Sequence, residues 1–208
     1  MKHVTLFLLD FNGTVLNDVP LWHLAMRKIF ETYKLKPPTI EEFYSKMGKD
    51  YLDVYRHYGV TASRDEMNAI YGAEYNRLVH TVTLFTGVVE TLSLLKRNGT
   101  KLGLITMQPE EFVSPLLKEF CLEDLFEDRY RWFHCTDKVQ AIKDALVAEN
   151  TDKNHCCFMG DTPSDIIQGK QAGVQTAVFL PGHLHEKLFS KSPPTYKFRS
   201  FKEIGALL

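Results

Sequence analysis

Hydrophobic positions along the chain follow two rhythms. Four short apolar runs, Val4 to Leu9, Lys101 to Thr106, His155 to Met159 and Thr176 to Leu180, each have about the length of a strand buried on both faces. The segments between them carry helical spacing. Val88, Val89, Leu92 and Leu95 form one stripe, closed by Asn98-Gly99 as a stop, and Val139, Ile142, Ala145 and Leu146 form another. Strands and helices that alternate in this way predict β-α-β units and a parallel sheet, with a further strand around Tyr130 to His134. The expected architecture is α/β, a doubly wound parallel sheet.

One connection breaks the rhythm. About seventy residues separate the first strand from the helix beginning near Gly87, where a crossover needs roughly a dozen. All of them read as helical. Leu21, Ala25, Ile29 and Tyr33 make one apolar face; Ile40, Phe43, Tyr44 and Met47 make a second, opened by Thr39-x-x-Glu42 as a capping box. Ser63-x-x-Glu66 opens another helix, with Met67, Tyr71, Tyr75 and Leu78 as its stripe. The expected organisation is therefore a core of residues 1–15 and 84–208, with a small helical domain, 16–83, inserted after the first strand and expected over its carboxyl end.

Composition narrows the class. At 208 residues with a formal net charge of −1 and no basic block, the chain lacks the electrostatic footprint of a nucleic-acid binder. No apolar stretch has the length of a membrane span, and no leader core follows the early lysine, so the expected location is the cytoplasm, with no membrane partner. Cys121, Cys135, Cys156 and Cys157 have no CxxC spacing. The adjacent pair in an apolar run reads as small core residues, with metal or redox use as the alternative.

In open parallel sheets, ligands bind beyond the carboxyl ends of the strands. Here Asp10, Thr106 and Asp161 each terminate an apolar run, and Lys138 follows the candidate strand around Tyr130 to His134. Two carboxylates, a hydroxyl and an ammonium on one sheet edge suit a phosphate held with a hard divalent cation. Simpler readings exist for each part. Asn12-Gly13 is a common turn pair, Thr162-Pro163-Ser164-Asp165 is a good helix start, Lys138 fits a solvated first turn, and Thr106 fits a strand-end hydroxyl.

Taken in order, DFNGT (Asp10 to Thr14), LIT (Leu104 to Thr106), Lys138 and GDTPSD (Gly160 to Asp165) resemble the haloacid dehalogenase-like hydrolases, and the helical insert matches their C1 cap. The resemblance covers nearly the whole chain and implies a Rossmann-like core and a magnesium-dependent phosphatase acting on a small phosphorylated metabolite. It implies Asp10 as the nucleophile that forms an aspartyl-phosphate. Magnesium would be held by Asp10, the backbone carbonyl of Asn12 and Asp161, with Asp165 as a further ligand or supporting partner. Thr106 and the backbone near Met107 would bind phosphoryl oxygens, Lys138 would neutralise charge, Gly13 would permit the tight turn, and Thr14 would brace the loop. Cap movement would hinge near Val15 to Asp18 and Thr83 to Gly87. The DFNGT variant with a short C1 cap looks most like chains grouped with phosphoglycolate phosphatases.

Asn12 departs from that pattern. Typical phosphatases of the superfamily have DxDxT, and the second aspartate protonates the leaving oxygen and then activates water; an amide does neither. Three explanations arise. The substrate has a good leaving group, such as an anhydride or acyl phosphate; or a cap residue, Asp18, His23 or Asp50, replaces the acid; or the chain is a weakly active or inactive member that binds a phosphorylated ligand or a protein partner. Lys49 raises a further alternative, phosphonatase chemistry through an imine, and with Trp22 and Tyr51 it is a candidate substrate contact.

Overall fold

The computed structural model describes residues 4–46, 51–126, 131–133, 135, 137–182 and 186–207. In chain order the elements are β1 (Leu6–Leu9), β2 (Leu16–Asn17), α1 (Val19–Thr32), α2 (Ile40–Ser45), α3 (Tyr51–His57), α4 (Arg64–Leu78), β3 (Thr83–Leu84) and α5 (Val88–Arg97). They continue with β4 (Lys101–Ile105), α6 (Glu110–Glu119), β5 (Arg131–Trp132), α7 (Lys138–Ala148), β6 (Cys156–Gly160), α8 (Pro163–Ala172), β7 (Gln175–Phe179) and β8 (Tyr196–Phe198), with short 3-10 turns between some of them. The chain divides into two compact units, 1–16 with 84–208, and 17–83.

The larger unit is built on a six-stranded sheet in the order β5-β4-β1-β6-β7-β8, parallel throughout. β1 lies inside it, and all four of its residues are fully buried. A strand covered on both faces gains by being apolar at every position, which is why this run shows no alternation. Leu9 pairs with Leu104 on one side and with Met159 on the other. That register brings Asp10, Thr106 and Asp161 out at the same edge within one residue of one another. From β1 the chain winds outward through β4 to β5, then returns across β1 to wind through β6, β7 and β8. The direction reverses between β1 and β6, and such a reversal leaves a crevice at the carboxyl ends of the strands.

Differences from the sequence reading lie at edges. β5 is Arg131–Trp132, and the ends of the expected strand, Tyr130 and His134, lie outside the described residues. β8 is a three-residue edge strand with one buried side chain, too short and too mixed to stand out as a pattern. Cys156 and Cys157 are buried in β6, and Cys156 packs with Leu6, Leu8 and Phe158. Burial pushes the Cys156 thiol up to about 12. No helix among the described residues is long and apolar enough to cross a membrane.

Within the helical unit, α1 packs on α4. Both capping boxes form, with Thr39 and Ser63 accepting from the backbone N–H groups of Glu42 and Glu66, whose carboxylates accept in return. The core is aromatic: Trp22 stacks on Tyr44 with centroids 5.0 Å apart, and Phe43 meets Tyr55 edge-on at 4.9 Å. Two expected stripes differ from the sequence reading. α1 ends at Thr32, so Tyr33 caps it half-buried while Met26 and Phe30 fill the face instead; on α4 only Met67 and Tyr75 are buried. Met47 lies outside the described residues.

Candidate active site

The crevice is assembled from four loop starts, and each has a local reason to be where it is. After β1 the chain turns at once. Gly13 has φ +69°, a left-handed conformation that favours glycine, and its N–H donates to the carbonyl of Leu16 at 2.9 Å. The N–H groups of Thr14, Val15 and Leu16 all donate to the carbonyl of Phe11, which fixes the loop through its backbone. Thr14 itself is fully buried, and its Oγ1 makes no hydrogen bond among the described residues.

The second and third starts follow β4 and β5. Thr106 is buried, held by its N–H on Trp132, and its hydroxyl accepts from the N–H of Gln108 at 3.1 Å. Met107 is 60% exposed at the mouth, so its apolar side chain is available to whatever enters. Asp137 caps α7 by accepting from the N–H of Gln140, which makes Lys138 the first helical residue and drives its side chain inward. Lys138 is buried to 5% exposure.

The fourth start follows β6. Thr162 is the N-cap of α8, Pro163 opens the helix, and Asp165 closes a capping box. The Asp165 carboxylate therefore has two duties. One oxygen accepts from Thr162 Oγ1 at 2.5 Å and from its N–H at 3.1 Å; the other accepts from Lys138 Nζ at 2.7 Å. Asp165 is thus a helix-start residue whose carboxylate also lines the cavity. Gly160 makes this possible, since a Cβ there would lie 2.4 Å from Asp165 Cγ. Gly160→Ala is expected to lower stability by about 1–3 kcal/mol through that overlap, and thermal melts would measure it; an unchanged midpoint would mean that α8 shifts freely.

Lys138 Nζ also reaches Asp10 Oδ1 at 3.0 Å, so one ammonium bridges two carboxylates. Asp161 joins them: Asp10, Asp161 and Asp165 each offer an oxygen, and these three atoms lie within 4.8 Å of one another. Three buried carboxylates against one ammonium leave a residual negative charge that a divalent cation would neutralise, and an all-oxygen donor set suits a hard ion. The residues fit such a group. The charge balance is visible in the titration behaviour. Burial pushes the Asp10 carboxyl up to about 7, Lys138 pulls against this, and Asp165 and Asp161 add to it. Burial alone would lower the Lys138 ammonium, but Asp10 and Asp165 outweigh that and hold it above the ordinary lysine range.

A raised carboxyl means that the folded, metal-free protein binds a proton the unfolded chain releases near 3.8. The stability this contributes is complete below that value and lost as pH rises through about 7. In chelator, urea melts of the protein should therefore weaken between pH 5.5 and 8 more than those of Asp10→Asn. Parallel pH profiles for the two would contradict the assignment.

The cavity at this edge holds about 170 Å³ and is lined by Asp10, Asn12, Thr106, Met107, Lys138 and Asp165, all singled out in the sequence. It also takes in Gln108, Thr162, Ser164 and Gln168. Gln168 accepts from the N–H of Lys138 at 3.2 Å and donates to Ser164 Oγ at 2.9 Å, tying α7 to α8. Their spacing, i and i+4 on one helix behind GDTPSD, was the available signal. Lys49 and Asp50 lie outside the described residues. Asp18 is buried at the start of α1, and Tyr75 is raised first by burial and then by the charge of Asp18. His23 meets Trp22 edge-on, and Tyr51 donates to Asn68 at 2.7 Å.

Comparison with known proteins adds an independent line. A family model described as haloacid dehalogenase-like hydrolase matches residues 7–179. Phosphoglycolate phosphatase 1 of Pseudomonas aeruginosa is 27% identical over 215 residues, covering 96% of this chain and 78% of that protein. Pyrophosphatase PpaX of Halalkalibacterium halodurans is 28% identical over 206 residues, covering 95% and 93%. A haloacid dehalogenase-like hydrolase of Streptococcus pneumoniae superposes with a TM-score of 0.80 at 18% identity over 99% of both chains, a likeness of fold.

Proposed function

The chain belongs to the haloacid dehalogenase-like hydrolases, and on that premise we propose that it is a divalent-metal-dependent phosphatase that transfers the phosphoryl group of a small metabolite to Asp10 and then to water. The observation that carries this reading is the bridging of Asp10 and Asp165 by buried Lys138, with Asp161 beside them. A nucleophilic carboxylate needs its charge, and a phosphoryl group brings more; the ammonium offsets both. Relatives named for an ester, phosphoglycolate, and for an anhydride, pyrophosphate, support phosphoryl chemistry while differing in the leaving group.

Each residue then has a task. Asp10 attacks phosphorus. Lys138 holds Asp10 in place and balances charge on the transferring group. Asp165, with both oxygens engaged by Lys138 and Thr162, acts by fixing Lys138. The Thr106 hydroxyl and the backbone beside Met107 receive phosphoryl oxygens. Asp10, the carbonyl of Asn12 and Asp161 would hold magnesium, which would supply positive charge to offset that of the phosphoryl oxygens. Residues 16–83, inserted after β1, take the part of the family's cap, and Gly13 keeps the loop tight.

The test is phosphate release from a panel of small phosphate esters and anhydrides, with magnesium or with chelator. Release that requires the cation is the expected result. Release indifferent to chelator, or none from any compound, would overturn the reading.

A further inference from the structure

We propose that this site is restricted to phosphoryl compounds whose leaving group departs as a stable anion, namely phosphoric anhydrides and acyl phosphates, and that Asn12 sets the restriction. The inference rests on the phosphatase reading above. Asn12 lines the cavity beside Asp10, with its side-chain oxygen buried. In the DxDxT phosphatases that the sequence resembles, the residue at this position gives a proton to the leaving oxygen, and an amide has none to give near neutral pH.

The other described groups at the cavity do not replace it. Asp165 would have to release Lys138 at 2.7 Å or Thr162 at 2.5 Å to carry a proton. Lys138 is a weak acid, because two carboxylates stabilise its ammonium. The hydroxyls, amides and thioether that complete the lining do not titrate near neutrality.

The consequence falls on the first step. Asp10 Oδ bonds to phosphorus as the bond from phosphorus to the leaving oxygen breaks, and the electron pair departs with that oxygen. An alkoxide is the conjugate base of an alcohol, an acid about as weak as water; a phosphate or carboxylate has a conjugate acid with a pKa of roughly 6 or 4. The alkoxide therefore needs a proton and the other two do not. In the second step water bonds to phosphorus through its oxygen, the bond to Asp10 breaks, and the protons of water leave with inorganic phosphate or pass to solvent. That step is unassisted by residue 12 for every substrate, so it lowers turnover without selecting among leaving groups.

The fold also disfavours conversion of Asn12 to aspartate. Conversion to aspartate at an Asn-Gly pair requires attack by the glycine nitrogen, and the Gly13 N–H is engaged by the Leu16 carbonyl at 2.9 Å.

The experiment compares acetyl phosphate, pyrophosphate, aryl phosphates of graded phenol acidity and alkyl phosphates including 2-phosphoglycolate, using protein whose residue 12 is confirmed as asparagine by peptide mass mapping. kcat/KM should fall steeply as the leaving group becomes more basic. Asn12→Asp should shift the alkyl-to-anhydride ratio by about 10²–10⁴-fold toward the alkyl esters. Wild-type protein that hydrolyses alkyl esters as well as anhydrides, or an unchanged ratio in Asn12→Asp, would overturn this inference and leave the phosphatase reading standing. No release from any compound by either protein would overturn both. The dependence on leaving group in the wild type decides the question even if the variant does not fold.

Discussion

Asp10→Asn is expected to reduce phosphate release by about 10⁴–10⁶-fold, the scale on which loss of a nucleophile acts in enzymes that form a covalent intermediate. Asparagine keeps the shape and removes the attacking charge. The buried environment argues that the fold should tolerate the change: it removes one of three crowded carboxylates and leaves Lys138 its 2.7 Å contact with Asp165. Steady-state release on the best substrate of the wild type, measured beside a thermal melt, separates the two effects. Residual activity within tenfold of wild type would remove Asp10 from the chemistry. A collapsed melting curve would show that the carboxylate holds the fold together.

Lys138→Met is expected to have the second largest effect, and to act on stability as well as rate. The side chain is nearly inaccessible and supplies the ammonium that bridges Asp10 and Asp165. Removing one partner of a buried ion pair costs about 3–5 kcal/mol, because the remaining charge stays buried without compensation. For a chain of this size that is roughly 6–20 °C in melting temperature at about 2–4 °C per kcal/mol. The loss should be smaller with added magnesium, which would offset the same carboxylates, and smaller at pH 5.5, where Asp10 takes up a proton. A variant that melts like the wild type in chelator at pH 8 would contradict the charge balance described here.

Much of this site was legible because parallel sheets concentrate chemistry at predictable places. Each apolar run that stopped at a polar residue marked a strand end, and the register of β1 with β4 and β6 brings those ends together. Asp10, Thr106, Lys138 and Asp165 meet around one cavity for that reason. Asp165 also illustrates why a simpler reading need not compete with a functional one. Its capping box is what orients the oxygen that holds Lys138.

What was missed depends on tertiary contact. Gln168 carries no local signal beyond its i+4 spacing from Ser164; it matters because α7 and α8 pack together and its amide bridges Lys138 and Ser164. β8 is invisible as a pattern because an edge strand of three residues, with only Phe198 buried, has no period to detect. The α4 stripe was overestimated at Tyr71 and Leu78, since helical spacing gives the direction a side chain points and not whether a neighbour is there to cover it.

The most direct test of the central claim is to trap the intermediate. The protein would be quenched during turnover of acetyl phosphate, reduced with borohydride, which converts an aspartyl-phosphate to homoserine, and mapped by peptide mass. Homoserine at position 10, absent without substrate, is the predicted result. Steady phosphate release with an unmodified Asp10, or with the modification at another carboxylate, would contradict it.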